Sequence, residues 1–376
     1  MGGSRPEVRR SSVGHTLPEG PELEALVRRA LGAQPGESLR FLARDRFVGT
    51  EAWRIRMANG GVETTFVAKR LSARSSEITA LVANRWLPLA GLGQYAAPLL
   101  GVSGEDESGS VWHLYEDLGN RTLEYSPGHG SDRLKTAVKQ GFLSPQPLEP
   151  VIDRAHAAVV ALAEVHMRFA GHPLLDECRV LCHALGEDSL GSSVHEATRG
   201  LEELGTPAFD LTPEQGAIQR RLLSLLGPLS REVPMRAAEM AALGGTETLL
   251  HGDLNGSNVL VYLEQGRWRV RLIDWVHAGV GSFAYDLSNF LLHYRREDRR
   301  TILEWYTAAA SPTGPWPTDS QWNAIFDTAE RARIARSAAW LAATAVKTPA
   351  DWVFQKLAEV ESWFRLLDPV LPTGRT

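Results

Sequence analysis

The chain has 376 residues, of which 43% are hydrophobic and 23% are charged, a composition typical of a globular protein large enough for two domains. The formal net charge of −5 provides no basic surface, so we expect no nucleic-acid partner. The sequence has no apolar run long enough to cross a bilayer, no signal-peptide core at its start and only two cysteines; we therefore expect a cytoplasmic protein without a membrane partner.

The first third of the chain predicts a small sheet with one helix. Residues 1–18 are polar and aperiodic, which predicts a disordered lead. Strand-like runs follow between residues 38 and 71, and Asn59-Gly60-Gly61 joins the last two as a tight hairpin turn. Apolar residues at helical spacing predict a helix over 75–89, and two further strand-like runs follow it. We expect these elements to form an N-terminal lobe over residues 19–118.

The remainder, residues 119–376, has mainly helical periodicity. The Gly-, Ser- and Pro-rich stretch over 120–147 predicts a loop or insertion. The long amphipathic helix predicted after it carries His166, which we expect to be a core or boundary histidine. The sequence therefore predicts a small strand-rich lobe followed by a larger helical lobe.

A polar cluster interrupts the apolar pattern in LLHGDLNGSNVL, residues 249–260. Two strand-like runs follow it and turn around Gly266, so an antiparallel hairpin would bring together Asn258 and Asp274, each eight residues from that glycine. An amide oxygen and a carboxylate are ligands that suit Mg²⁺. Asp253 would then be placed to orient a hydroxyl and accept its proton, which indicates phosphoryl transfer. The alternative is a polar turn whose side chains only satisfy backbone groups.

HGDLNGSN followed by LIDW resembles the catalytic loop and metal-binding segment of the aminoglycoside phosphotransferase superfamily, small-molecule relatives of the protein kinases. The resemblance extends from about residue 40 to 365 and implies an α+β, bilobal protein-kinase-like fold. That fold has a small N-terminal lobe with an antiparallel sheet and one helix, and a larger, mainly helical C-terminal lobe. The resemblance implies Asp253 as catalytic base, with Asn258 and Asp274 as Mg²⁺ ligands. These lie in a catalytic loop over 251–258 and a metal segment over 272–275.

The resemblance also implies a nucleotide site in the N-terminal lobe. Lys69 lies inside the apolar run FVAKRL, where a buried ammonium needs an anionic partner, and it is expected to pair with Glu77 and with nucleotide phosphates. The backbone from Glu116 to Leu118 would hydrogen-bond the purine of ATP or GTP. The residues assigned to the nucleotide are Lys69, Glu77, Gly49, Thr50, Glu116, Leu118 and Ser257. His251 and Asp286 are expected to support the catalytic loop.

The sequence also departs from the protein-kinase pattern. The turn RFVGTEAW has the single glycine Gly49 in place of G-x-G-x-x-G, so the way in which the phosphates are covered stays open. No A-P-E segment follows Asp274, so control by a phosphorylated activation loop is not expected.

We expect a nucleotide- and Mg²⁺-dependent O-phosphotransferase that moves the γ-phosphate of ATP or GTP to a hydroxyl of a small molecule, an antibiotic or related natural product, as a resistance kinase does. Residues 286–376 carry equal numbers of acidic and basic side chains, which favours a neutral or weakly charged hydroxylated acceptor over a polycationic aminoglycoside. Two alternatives stay open: a housekeeping kinase for choline, homoserine or a sugar, and a non-catalytic nucleotide-binding protein. We expect a monomer or homodimer.

Overall fold

The computed structural model of this protein describes residues 21–34, 37–47, 50–124, 145–186, 188–310 and 315–372. The expected disordered lead over 1–18 and most of the expected loop over 120–147 lie outside these described residues. The chain divides into two compact units. One comprises the residues up to Asn120 together with Arg271–Val276, and the other comprises Arg121–Val270 together with the residues from His277 onwards.

The first unit is built on a five-stranded antiparallel sheet with the strand order β1-β2-β3-β5-β4. Its strands are β1 Arg40–Arg46, β2 Ala52–Asn59, β3 Val62–Ser72, β4 Leu99–Glu105 and β5 Ser110–Glu116. Strands β2 and β3 form the expected hairpin. Asn59 pairs with Val62, and both Gly60 and Gly61 adopt the positive φ that a two-residue hairpin turn requires.

The described residues of this unit include three α-helical segments: α1 Pro21–Ala30, α2 Ala73–Leu81 and α3 Leu87–Leu89. The single helix expected over 75–89 is interrupted between α2 and α3 by a π-helical turn at Val82–Trp86. Helix α1 contributes Leu23 and Leu26 to a buried cluster that includes Ala68 of β3. Because side chains alternate across a strand, Lys69 lies on the opposite face of β3 from Ala68.

The second unit is mainly helical. Its helices are α4 Ile152–Phe169, α5 Leu174–Leu181, α6 Ser189–Leu204, α7 Pro213–Leu243, α8 Ala284–Leu292, α9 Arg299–Ala309, α10 Asp319–Lys347 and α11 Asp351–Leu366. Helix α10 packs against α6, α7, α8 and α11. It approaches α6 closely where Gly200 faces Ala342, since a Cβ on that glycine would lie 2.9 Å from the Ala342 Cβ.

Five short strands complete the described chain: β6 His183–Leu185, β7 Thr248–Leu250, β8 Val259–Glu264, β9 Arg267–Leu272 and β10 Gly279–Gly281. Strand β10 pairs in parallel with β6 and antiparallel with β7. Strands β8 and β9 form the hairpin expected around Gly266. Gln265 and Gly266 both have positive φ, which is the geometry of a two-residue hairpin turn.

The expected α+β architecture is confirmed. The antiparallel sheet and the helix that follows β3 lie in the N-terminal part of the chain, and helices dominate the remainder. Among the described residues, none of the helices combines the length and apolarity that crossing a membrane requires.

Candidate active site

The polar cluster from His251 to Asn258 forms the loop between β7 and β8. The loop ends in a short 3₁₀ turn at Gly256–Asn258. The side-chain oxygen of Asn255 caps this turn by accepting a hydrogen bond from the Ser257 N–H at 3.0 Å, and the Ser257 hydroxyl donates to the same oxygen. Asn255 therefore shapes the loop, and a contact between Ser257 and a nucleotide stays a prediction.

Asp253 and Asn258, the expected base and metal ligand, are joined across this loop. Asn258 Nδ2 donates to the backbone oxygen of Asp253 at 2.8 Å and to its carboxylate Oδ2 at 3.2 Å. With the nitrogen turned towards Asp253, the amide presents its oxygen as the atom that can bind a cation. This arrangement fits the expected Mg²⁺ ligand, because Mg²⁺ prefers oxygen donors.

Asp286, near the start of α8, is a fully buried anion beneath the loop. It accepts hydrogen bonds from the His251 N–H at 2.6 Å and the Gly252 N–H at 2.9 Å. Burial alone would raise the pKa of Asp286, but a hydrogen bond from His166 and the charges of His166 and His251 lower it. His166, the expected core histidine, also bonds the Tyr306 hydroxyl at 2.9 Å. Asp286 therefore holds the backbone N–H groups of the two residues that precede the expected base.

Gly252 occupies a position that has no room for a side chain. Its φ is +81°, and a Cβ built on it would lie 1.9 Å from the backbone oxygen of His277. Only glycine allows both the left-handed conformation and the close backbone approach. The glycine of HGD is therefore a packing requirement of the loop that carries Asp253.

Glu124 and His293, which belong to no recognisable sequence motif, lie beside the loop. Glu124 Oε1 is 3.4 Å from His293 Nδ1, and a Cβ built on Gly256 would lie 2.7 Å from Glu124 Cγ. Burial and the negative charge of Asp253 raise the pKa of Glu124 to about 7. Burial lowers the pKa of His293 to about 4. A second carboxyl group is therefore electrostatically coupled to the expected base.

In the first unit, Lys69 of β3 forms an ion pair with Asp274. The Nζ and Oδ1 atoms are 2.6 Å apart, and the side chains are 20% and 33% exposed. We expected Glu77 as the partner, and this expectation is wrong for this structure. Glu77 lies on the exposed side of α2, so within the described part of the chain the ion-pair partner of Lys69 is Asp274.

The metal segment 272–275 belongs to the first unit, although we expected it in the C-terminal lobe. Leu272 forms a β-bridge with Ala96, which explains its place there. Asp274 itself has a φ of +67°. A left-handed conformation is uncommon outside glycine, and residues held in it cluster at functional sites. The strained backbone of Asp274 therefore supports a functional role for this carboxylate.

A chain of hydrogen-bonded polar side chains borders Lys69 on β5. His113, the register partner of Lys69, contacts Ser76 Oγ of α2 at 2.6 Å and the Tyr115 hydroxyl at 2.9 Å. Burial and the positive charge of Lys69 lower the pKa of His113 to about 4. Burial and the negative charge of Asp274 raise the pKa of Tyr115. Neutral hydrogen bonds therefore join α2 to the sheet beside Lys69.

Thr50, Glu116 and Leu118, which are also expected at the nucleotide, lie in the first unit. The Thr50 hydroxyl donates at 3.1 Å to a backbone oxygen of its own turn. The Glu116 N–H donates at 3.2 Å to a backbone oxygen preceding β4, and Leu118 is half-buried. Gly49 lies outside the described residues. Their contacts with a nucleotide stay a prediction.

Two groups of expected residues are thus assembled, one within each unit. Asp253, Asn258, Ser257 and His251 share one loop with Asp286 beneath it, and Lys69 contacts Asp274. The joint role of Asn258 and Asp274 as Mg²⁺ ligands stays a prediction.

Residues 51–322 match the family model described as the phosphotransferase enzyme family. The chain belongs to this family. The match confirms the resemblance inferred from HGDLNGSN and LIDW. It also confirms the expected enzyme class, a phosphotransferase that acts on a hydroxyl group. A search of curated proteins gives no match.

Many solved structures match this phosphotransferase, and three of them illustrate the shared fold. An ethanolamine kinase from Plasmodium vivax has a TM-score of 0.56 and 12% identity, covering 92% of this chain and 88% of that chain. The GDP and kanamycin complex of APH(2'')-IIia has a TM-score of 0.54 and 12% identity, covering 91% and 98%. Spectinomycin phosphotransferase APH(9)-Ia, in complex with ADP and spectinomycin, has a TM-score of 0.52 and 13% identity, covering 89% and 90%. At this identity the structures show the fold alone, and they confirm the expected fold class.

Proposed function

We propose that this phosphotransferase is a kinase that transfers the γ-phosphate of ATP or GTP to a hydroxyl of a small molecule, with Asp253 as the base. The observation that carries the proposal is the construction of the loop around Asp253. Its carboxylate receives a hydrogen bond from Asn258, and the two preceding amides are held by the buried Asp286. A fixed carboxylate flanked by an amide ligand is the arrangement that phosphoryl transfer needs, because the protein's main contribution is positioning.

The proposed reaction replaces one phosphorus–oxygen bond of the γ-phosphate by another. The acceptor oxygen forms a bond to the γ-phosphorus while the bond from that phosphorus to the β–γ bridging oxygen breaks, and the nucleoside diphosphate leaves. Asp253 takes the proton of the acceptor hydroxyl. Lys69 is assigned to the nucleotide phosphates, and Asn258 and Asp274 to Mg²⁺. When bound, Mg²⁺ neutralises charge that develops on the phosphate oxygens.

The nucleotide itself is proposed from the family and from the lysine in β3. Lys69 is a partly buried ammonium, and its pairing with Asp274 shows that it lies within reach of an expected metal ligand of the same unit. The relatives with solved structures include one bound to ADP and one bound to GDP. Both ATP and GTP therefore belong in the test.

For the acceptor, we propose a neutral or weakly charged hydroxylated compound, an antibiotic or related natural product. The balance of acidic and basic side chains over 286–376 supports this preference, because a polycation would be favoured by a surplus of carboxylates. The protein would act in the cytoplasm as a monomer or homodimer.

Turnover of an acceptor panel tests the proposal. The purified chain would be incubated with Mg²⁺ and either ATP or GTP, together with aminoglycosides, neutral glycosylated or nucleoside antibiotics, and the metabolites choline, ethanolamine, homoserine and sugars. Mass spectrometry would detect products heavier by one phosphate. We expect phosphorylation within the neutral class, and Asp253→Asn, which preserves the shape of the side chain, should abolish it.

The outcomes separate the alternatives. Phosphorylation confined to polyamine sugars would refute the acceptor preference, and turnover of a metabolite alone would identify a housekeeping kinase. Nucleotide binding without transfer to any acceptor would indicate a non-catalytic protein and would refute the proposed function.

A further inference from the structure

Arg333 of α10 is a buried arginine whose three side-chain nitrogens all have partners. It is 6% exposed. Nη1 donates to the backbone oxygen of Gly252 at 3.0 Å, Nη2 donates to the backbone oxygen of Tyr285, and Nε lies 3.4 Å from Glu330 Oε1. The guanidinium carbon also lies 4.0 Å from the centre of the Tyr285 ring. Such a side chain has one well-defined orientation, because the planar fork is held at every nitrogen.

The contact with Gly252 is the one that concerns the reaction. The Gly252 oxygen belongs to the peptide bond that joins Gly252 to Asp253, and the Gly252 N–H is already bonded to Asp286 at 2.9 Å. Gly252 is therefore held from both sides, by an anion at its N–H and by a cation at its carbonyl. Hydrogen bonds to charged groups are stronger than neutral ones, so this pair fixes the direction in which the chain enters Asp253.

The charge of Arg333 is retained despite burial. Burial alone would lower the pKa of Arg333, but its interactions with Tyr285 and with the carboxylates of Glu330, Asp253 and Asp286 raise it. A buried ion is costly unless it is paired and hydrogen-bonded, and Arg333 meets both conditions.

We propose that Arg333 is a positioning residue for phosphoryl transfer. Its hydrogen bond to the Gly252 oxygen fixes the Gly252–Asp253 peptide group, while Asp286 holds the Gly252 N–H, and the two contacts together orient Asp253. The inference rests on the proposed function. Arg333 lies about 80 residues after the loop, on a helix, and its role follows from its hydrogen bonds rather than from a motif. Lysine would retain the charge but not the planar fork that reaches two carbonyl oxygens.

The competing explanation is that Arg333 only stabilises the packing of α10, and Glu330 provides the matched control. Glu330 is fully buried on the same helix, accepts a hydrogen bond from Ser288 at 2.6 Å and contacts Arg333 at 3.4 Å. Neither of these contacts involves the loop that carries Asp253. Glu330→Gln removes a buried charge from the same cluster but keeps a side-chain oxygen that can accept from Ser288 and from Arg333 Nε, so the bond from Arg333 to Gly252 stays in place.

The test compares Arg333→Met, Arg333→Lys and Glu330→Gln in the full-length protein. Steady-state kinetics would give kcat and KM for the nucleotide, and hydrogen exchange would follow the backbone amides of residues 250–254. For Arg333→Met we expect kcat to fall roughly 10²-fold, as for a displaced catalytic group, with the nucleotide KM nearly unchanged and faster exchange in the loop. Arg333→Lys should recover part of kcat. Glu330→Gln should keep the wild-type kcat and loop exchange.

The proposal would be overturned if Arg333→Met kept the wild-type kcat, or if Glu330→Gln lowered kcat and loop protection as much as Arg333→Met does. If Arg333→Met does not fold, Arg333→Lys decides, and wild-type kcat with wild-type loop exchange in that variant would overturn the proposal. Hydrogen exchange of the loop amides also distinguishes a failure of this proposal from a failure of the proposed function. If the wild-type protein transfers no phosphate, the proposed function fails, and the exchange result still shows whether Arg333 clamps the loop.

Discussion

Replacing Gly252 by alanine should disrupt the loop that carries Asp253, and Gly266→Ala provides a matched control. Both glycines have similar positive φ, +81° and +76°. An alanine with such a positive φ costs about 1–2 kcal/mol from the backbone conformation alone. A Cβ on Gly266 would meet nothing within 4 Å, so this cost is all that we expect for Gly266→Ala.

At Gly252 the backbone must also move. The new Cβ would lie 1.9 Å from the His277 oxygen, whereas ordinary contact begins near 3.4 Å. A shift of this size would break or weaken the hydrogen bonds to Asp286 and Arg333, each worth about 1.5–3 kcal/mol because one partner is charged. We therefore expect Gly252→Ala to lower the free energy of unfolding by about 3 kcal/mol or more. The displacement of Asp253 should reduce kcat at least roughly 10²-fold.

Urea unfolding followed by tryptophan fluorescence, together with turnover of the acceptor found in the panel, measures both effects. Equal unfolding midpoints and equal kcat for Gly252→Ala and Gly266→Ala would refute the reasoning, because the two substitutions differ mainly in the space available to the methyl group.

Three other predictions concern charge. The pKa of both His113 and His293 is lowered from 6.5 to about 4. As the pH drops, the unfolded chain therefore takes up these protons before the folded chain does. The free energy of unfolding should fall between about pH 6.5 and pH 4, by up to roughly 3 kcal/mol for each histidine. Urea unfolding of His293→Gln should show a weaker loss at low pH than the wild type; an identical pH dependence would contradict the assignment. For Glu124 the pKa is raised from 4.5 to about 7, so its contribution to stability is lost as the pH rises through this window. Glu124→Gln should therefore gain stability relative to the wild type between pH 5 and pH 8, by roughly 3 kcal/mol at most, and no relative gain would refute the raised pKa. Lys69→Met should raise the nucleotide KM at least roughly 10-fold, as loss of a phosphate contact does, and an unchanged KM would exclude Lys69 from the nucleotide site.

Local sequence signals predicted local structure well. Asn59-Gly60-Gly61 and Gly266 marked two hairpins, because positive φ at a two-residue turn is a property of the residues themselves. The cluster from His251 to Asn258 marked a loop at the end of a buried strand, and its contacts between Asp253 and Asn258 span only five residues. The family match then confirmed what this motif indicated about the class of enzyme.

Long-range partners could not be predicted in the same way. Lys69 required an anion, but nothing in FVAKRL distinguishes Glu77, eight residues away, from Asp274 in a distant segment. Glu124 and Arg333 likewise reach the loop through tertiary packing, and their own neighbours in sequence carry no motif. The fold determines which residue pairs with a buried charge, because the free-energy cost of burying a charge depends on its surroundings and not on residue type alone.

The most direct test of the account compares wild-type protein with Asp253→Asn in a single-turnover transfer assay, with nucleotide affinity measured separately by titration. Asparagine keeps the size of the side chain and the backbone oxygen that receives the Asn258 hydrogen bond, but it cannot take up the hydroxyl proton. We predict a loss of transfer of at least roughly 10²-fold with nucleotide affinity nearly unchanged. A variant that transfers phosphate at the wild-type rate would show that Asp253 is not the base.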